Sequence, residues 1–236
     1  MRIPAGEFPM GSEEGEPDER PVHQVALEAY WLDRFEVTVA EYRACVEAGA
    51  CMPPEQGGAC TWGRPGRDAH PVNCVDWTQA ACYCSWVGER LPTEAEWERA
   101  ARGPQGRRFA WGDGPPQGRR GGNVADESAR QAMPTWTVIS GYDDGYPATA
   151  PMGRFEPTPE GLYDLSGNLT EWVADWYEAE YYARSPRGNP LGPGTGRFRV
   201  VRSGSWRNAD DYLRASYRYG LVPGYRAVNV GFRCAR

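Results

Sequence analysis

The residue types best suited to redox or metal chemistry in this chain are seven cysteines and two histidines. Six cysteines fall between Cys45 and Cys84, and Cys234 lies near the C-terminus. A zinc site would want thiolates at CxxC spacing, or cysteines with histidines beside them. There is no CxxC pair, and only His23 and His70 could join such a site. Disulfides are the better use of so many thiols, and they point to an oxidising place outside the cytoplasm. The odd count leaves at least one thiol unpaired. All 26 basic residues are arginine, so no lysine is available for a Schiff base. A net charge of −6 argues against general nucleic-acid binding. No apolar run approaches the ~18 residues of a membrane span, so no membrane insertion of this domain is expected. MRIPAGEF has no signal-peptide layout, which places any export leader upstream of Met1.

Three helices are marked by their first turns. Thr38 with Glu41, Asp76 with Gln79, and Thr93 with Glu96 each have capping-box spacing. The helices they open run toward Gly49, Gly88 and Gly103, which supply the stops. Pro92 forbids an earlier start for the third. From 104 to 149 there is little periodicity and much Gly, Pro and Asp. That stretch also holds Trp111, Trp136, Val138 and Ile139, which disordered tails usually lack. It is expected to be ordered but irregular, and such order asks for metal ions or dense packing. Short antiparallel strands are expected within 197–206, 212–218 and 228–233, where β-branched and aromatic residues alternate with glycine. The glycine- and proline-rich stretch 186–196 reads as a surface loop.

Four stretches, taken together, carry a resemblance. They are IPAGEFPMGS (3–12), RLPTEAEWERAARG (90–103), GLYDLSGNLTEW (161–172), and RVVRSGSW with VGFRCA (199–206 and 230–235). In this order and spacing the chain resembles the formylglycine-generating enzyme (sulfatase-modifying factor) family from Ile3 to its end. The resemblance implies one α+β domain over 1–236, a variant of the C-type lectin fold. Few helices, short twisted antiparallel strands and much irregular structure are then expected.

The resemblance also implies two structural calcium sites. In the first, the side chains of Asn123 and Asp144 join the carbonyls of Val124 and Tyr146. In the second, the side chains of Asp164 and Glu171 join the carbonyls of Gly167 and Leu169. Calcium is a hard ion that accepts such mixed shells of six to eight oxygens. Read without the resemblance, the same acids are solvated turn residues. The family's helix-to-terminus disulfide maps onto Cys84 and Cys234. A second bridge found in some members maps onto Ala101 and Ala215, so both its partners are absent together. Cys45, Cys51, Cys60 and Cys74 are left for local bridges. Cys45–Cys51 with Cys60–Cys74 is the preferred arrangement among open alternatives, with Cys82 as a buried, inert leftover.

Oxidases of the family use two cysteines just after the glycine–serine–aromatic turn to bind copper(I), a soft ion that thiolates select. Here that turn is SGSW (203–206). Asn208 holds the first cysteine position, and no cysteine stands near the second, around Asp210–Leu213. Copper is therefore not expected, nor formylglycine generation by that mechanism. A family branch with a three-histidine iron site is excluded by having only two, distant histidines. The groove bounded by Ser205, Trp206, Asn208, Tyr212 and Arg218 is instead expected to bind a peptide, protein or small molecule, since arginine and aromatic side chains are preferred anchors. The leading expectation is a non-catalytic recognition module acting outside the cytoplasm. The alternatives are a diverged oxidoreductase using the same groove, and a variable protein of a diversity-generating retroelement.

Overall fold

The computed structural model describes residues 1–236. The three capping boxes form as the spacing requires. Thr38 Oγ1 accepts from the Glu41 amide at 3.2 Å while Glu41 accepts from the Thr38 amide at 2.8 Å. The same reciprocal pairs join Asp76 with Gln79 and Thr93 with Glu96. They open α1 (Val39–Glu47), α2 (Trp77–Trp86) and α3 (Glu94–Arg102). A fourth helix, α4 (Glu127–Ala132), lies inside the stretch expected to be irregular. It is only six residues long, too short to show periodicity, and it depends on Asp126 Oδ1, which accepts from the amides of Ser128 and Ala129.

Near the N-terminus β1 (Arg2–Ile3) pairs with β4 (Tyr30–Trp31), and β2 (Gly6–Met10) with β3 (His23–Leu27), both antiparallel. The main sheet contains β5 (Thr170–Trp176), β6 (Arg199–Arg202), β7 (Arg218–Leu221) and β8 (Val230–Phe232) in the order β7-β6-β5-β8. β5 and β8 run parallel and the other pairs antiparallel. This is the few-helix, short-strand α+β architecture that the motifs imply. One expected strand is corrected. Within 212–218 the chain first completes a single helical turn, Asp210–Leu213, and the strand begins only at Arg218.

The sheet divides the core. Val173 of β5 and Val200 of β6 face a cluster with Ile3, Phe8, Trp97 and Leu162. Their neighbours Trp172 and Val201 face a second cluster with Val39, Tyr42, Tyr83 and Phe232. Ala101 and Ala215 are both fully buried in the first cluster. The 104–149 stretch is held by small clusters of its own. Phe109 stacks on Trp111 at 4.8 Å and packs with Val124, Tyr142 and Leu213. Ala125, Ala129 and Val138 pack beside Trp136.

Three disulfides close the chain: Cys45–Cys51, Cys60–Cys74 and Cys84–Cys234. Such bridges suit an oxidising environment. Cys82 is the free thiol, but it is exposed rather than buried, which corrects the expectation. Cys84 takes the inward face of α2, and a residue two positions away on a helix points the opposite way, here to solvent. The Cys82 thiol donates to the Ala50 carbonyl at 3.3 Å. No helix is long and apolar enough to cross a membrane.

Candidate recognition cleft and the charged core beneath it

β6 ends in the SGSW turn. Ser203 adopts a positive φ of 67°. A Cβ on Gly204 would lie 2.8 Å from the Tyr212 carbonyl, so only glycine fits there. The turn is then locked from within. Asn208 Oδ1 accepts from the Ser205 amide at 2.9 Å and from Ser205 Oγ at 2.8 Å. The Asn208 carbonyl accepts from the Ala125 amide, tying the turn to the irregular segment.

Outside this turn lies an open cleft of about 520 Å³. One wall is Thr135, Trp136 and Thr137, and the other runs from Arg207 to Tyr212. The Arg207 guanidinium sits 5.2 Å from the Trp136 ring and 5.8 Å from the Trp206 ring. Tyr212 is 51% exposed. Of the five residues expected to bound a groove, Asn208 and Tyr212 line this cleft. Trp206 is buried behind its wall, 5.7 Å from Trp136, with its indole N–H on the Val228 carbonyl. Ser205 is fully buried, because its hydroxyl serves Asn208 and Asn229. Arg218 does not line this cleft: it is 1% exposed and its guanidinium turns into the core.

The reason is a charged network that the motif reading missed. Glu94 accepts a two-pronged pairing from Arg218, at 2.6 and 2.9 Å, and a third contact from Arg202 at 2.8 Å. Arg202 also reaches Glu98 at 2.7 Å and the Ala215 carbonyl at 2.7 Å. All four side chains are essentially inaccessible. Burial pushes the Glu94 carboxyl up, but the Arg218 and Arg202 guanidiniums outweigh it and leave the group below its usual range. Nearby Asp175 has no arginine in hydrogen-bond contact, and burial, then Glu94, push it up to about 8 despite the opposing charge of Arg218. The sequence did hold a signal. A helix reading EAEWER buries glutamates at 94 and 98, and only a fixed, forked cation such as arginine satisfies buried carboxylates well.

The eight residues mapped to calcium fall into two groups. In the first, Asp144 accepts from the amides of Val124 at 2.9 Å and Tyr146 at 2.7 Å. Asn123 Oδ1 is buried with no partner. Burial and the adjacent Asp126 push Asp144 up to about 8. In the second, Asp164 Oδ2 is likewise buried with no partner. Glu171 is gripped by Arg233, at 2.7 and 2.8 Å, and by the Trp97 indole N–H. Glu36, which the sequence did not single out, is buried beside them and accepts from the Leu169 amide. Burial, then Asp164 and Glu171, push Glu36 well above the usual range. Three buried carboxylates thus face one guanidinium. The carbonyls of Val124, Tyr146, Gly167 and Leu169 accept no hydrogen bond within the protein. Unpartnered oxygens and excess negative charge are the donor chemistry that a hard divalent cation requires.

Fold, motif order and the locked SGSW turn define the chain's class: it belongs to the sulfatase-modifying factor enzyme 1-like domain family, whose profile matches residues 1–236. Among individual proteins, the chain is 37% identical over 283 aligned residues to the formylglycine-generating enzyme of Streptomyces coelicolor. That alignment covers 100% of this chain and 88% of the other. The structure of PvdO from Pseudomonas aeruginosa is similar with a TM-score of 0.80 and 28% identity, covering 100% of this chain and 93% of that one. Treponema denticola variable protein 1 follows at 0.75 and 26%, covering 99% and 93%.

Proposed function

We propose that this domain is a non-catalytic recognition module acting outside the cytoplasm, which binds a peptide or protein segment in the cleft between Trp136 and Tyr212. One observation carries the reading. At the position where relatives with oxidase activity would hold a redox thiol, Asn208 spends its side-chain oxygen on Ser205. No cysteine occurs between Cys84 and Cys234. The one free thiol, Cys82, sits on α2. An amide does not replace a thiolate as a copper(I) ligand. What the cleft offers instead is a cation stacked on tryptophan and an exposed tyrosine, the side chains that anchor interfaces.

Two measurements test this. Copper(I) titration with oxygen uptake on a cysteine-containing peptide should show no stoichiometric thiolate site and no oxygen consumption. Tight copper binding with peptide oxidation would overturn the reading in favour of a diverged oxidase. Panning a displayed random-peptide library should yield binders that lose about tenfold or more in affinity on Trp136→Ala, a typical loss for an aromatic anchor. A second reading, a variable protein of a diversity-generating retroelement, is favoured by the likeness to Treponema denticola variable protein 1. It requires a near-copy of the 3′ coding sequence that differs at adenines.

The scaffold is proposed to hold two calcium ions. Asn123, Asp144 and the carbonyls of Val124 and Tyr146 would bind one; Asp164, Glu171 and the carbonyls of Gly167 and Leu169 the other. The ions would hold loops and activate no water. The unpartnered oxygens of Asn123 and Asp164 support this. Stripping the protein with a chelator should lower its Tm, and calcium at a hundredfold excess over Kd should restore about 2.7 kcal/mol per site. A Tm indifferent to chelator and to added calcium would remove both sites from the scheme.

A further inference from the structure

A second open cleft, of about 470 Å³, lies along the same face of the C-terminal segment. We propose that it takes a basic side chain, arginine or lysine, of the peptide held in the first cleft; the proposal rests on the recognition reading above. The two clefts are joined by rings. Tyr212 of the first meets Tyr217 edge-on at 5.2 Å, and Tyr217 meets Tyr219 at 5.5 Å. Tyr217 and Tyr219 line the second cleft together with Tyr177, Glu16, Asp18 and Glu180. Gly220 lets Tyr177 lie close over β7, since a Cβ there would sit 2.8 Å from its ring.

Acids outnumber bases three to one in the lining of this cleft. Its only basic lining residue is Arg218, which forms the floor. That guanidinium is already matched by the Glu94 fork beneath it. Beyond Arg218, whose charge also reaches Asp18, no base lines the cleft to balance Glu16, Asp18 and Glu180; the Asp18 carboxylate also accepts from the Tyr177 hydroxyl at 2.6 Å. The protein already uses one of these rings to hold a guanidinium: Arg218 lies 4.9 Å from Tyr177 and 4.4 Å from Tyr182. A cation above Tyr217 and Tyr219 gains the same ring attraction from outside. An N–H-bearing cation also donates to the carboxylates, a contact that is charge-assisted and short. A quaternary ammonium cannot donate. The cleft therefore favours a guanidinium or primary ammonium over a choline-type headgroup.

The test is a ring-observed NMR titration of the intact protein with four probes: N-acetyl-arginine amide, N-acetyl-lysine amide, neutral N-acetyl-citrulline amide and choline. Tyr217 and Tyr219 signals should move with the first two. Citrulline should bind about tenfold more weakly, since it lacks the charge that strengthens each hydrogen bond. Glu180→Gln, at an exposed side chain that makes no hydrogen bond, should weaken the basic probes severalfold. Tyr217→Leu should abolish the response, while Met52→Ala, at an exposed side chain outside both clefts, should leave it unchanged. Equal binding of citrulline, tighter binding of choline, or silence at both tyrosines would overturn the proposal. Silence at the tyrosines with library peptides still binding through Trp136 sinks this inference alone; failure of both sinks the recognition reading as well.

Discussion

Glu94→Ala should destabilise the protein by about 3–5 kcal/mol, the usual cost of stripping one partner from a buried ion pair. Urea denaturation followed by tryptophan fluorescence would read it as a drop in the unfolding midpoint. Few positions serve so many partners. The Glu94 carboxylate accepts from Arg218 twice, from Arg202 once and from the Tyr182 hydroxyl. Arg202 keeps Glu98 after the substitution. Arg218 keeps only the carbonyls of Asp18 and Glu178. A guanidinium that is 1% exposed then loses its hydrogen-bonded counter-charge, and two carbonyls with the Asp18 carboxylate nearby do not replace it. Glu94→Gln retains the volume and one acceptor oxygen, so its loss should be smaller. A fall below about 1 kcal/mol for the alanine variant would mean that the network is solvated, contrary to the geometry.

Removing the Cys84–Cys234 bridge by paired alanine substitution should cost about 5 kcal/mol, against about 2 kcal/mol for the Cys45–Cys51 pair, in the chain-entropy account of cross-links. The first closes a separation of 150 residues and the second a separation of 6. Loop length alone carries the difference, since both cysteines of the long bridge and Cys45 of the short one are fully buried. Guanidinium denaturation of the two double variants, with the other bridges kept oxidised, measures it directly. Equal losses would show that native packing, and not the freedom of the unfolded chain, sets the value of these bridges.

The parts of the fold that rest on short-range chemistry were legible. The capping boxes at Thr38, Asp76 and Thr93 fix helix starts because donor and acceptor lie three residues apart. The bridges Cys45–Cys51 and Cys60–Cys74 follow the preferred local pairing, and Cys84–Cys234 follows the family pattern. What stayed hidden depends on elements far apart in sequence. β5 reads TEWVADW and shows no alternation, because both its faces are covered: Trp172 packs into one cluster and Val173 into the other. A strand buried on both sides loses the period-two signal that marks a half-exposed one. Arg218 reads as a groove residue because arginine is a preferred anchor at recognition surfaces. Its partner Glu94 is 124 positions away, and nothing local announces the pair. Glu36 and Asp126 escaped notice for the same reason: each acquires meaning only from the acids that the fold brings beside it.

The wall of the first cleft is anchored at its two ends and, between them, held mainly through Asp211, which accepts from Arg108 at 3.1 Å. The Asn208 carbonyl takes the Ala125 amide, and the Leu213 carbonyl takes the Ser166 hydroxyl beneath a fully buried Leu213 side chain. Arg207, Asp210, Asp211 and Tyr212 point outward from that frame. Exchanges at such surface positions usually move stability by no more than about 0.5 kcal/mol each. Asp210, at φ 47°, is the one that also asks for a residue tolerant of left-handed backbone. The chemistry of the cleft wall and the folding of the chain are therefore nearly independent traits. A lineage, or a designer, could rewrite the cleft wall while the buried glutamates, arginines and bridges stay untouched.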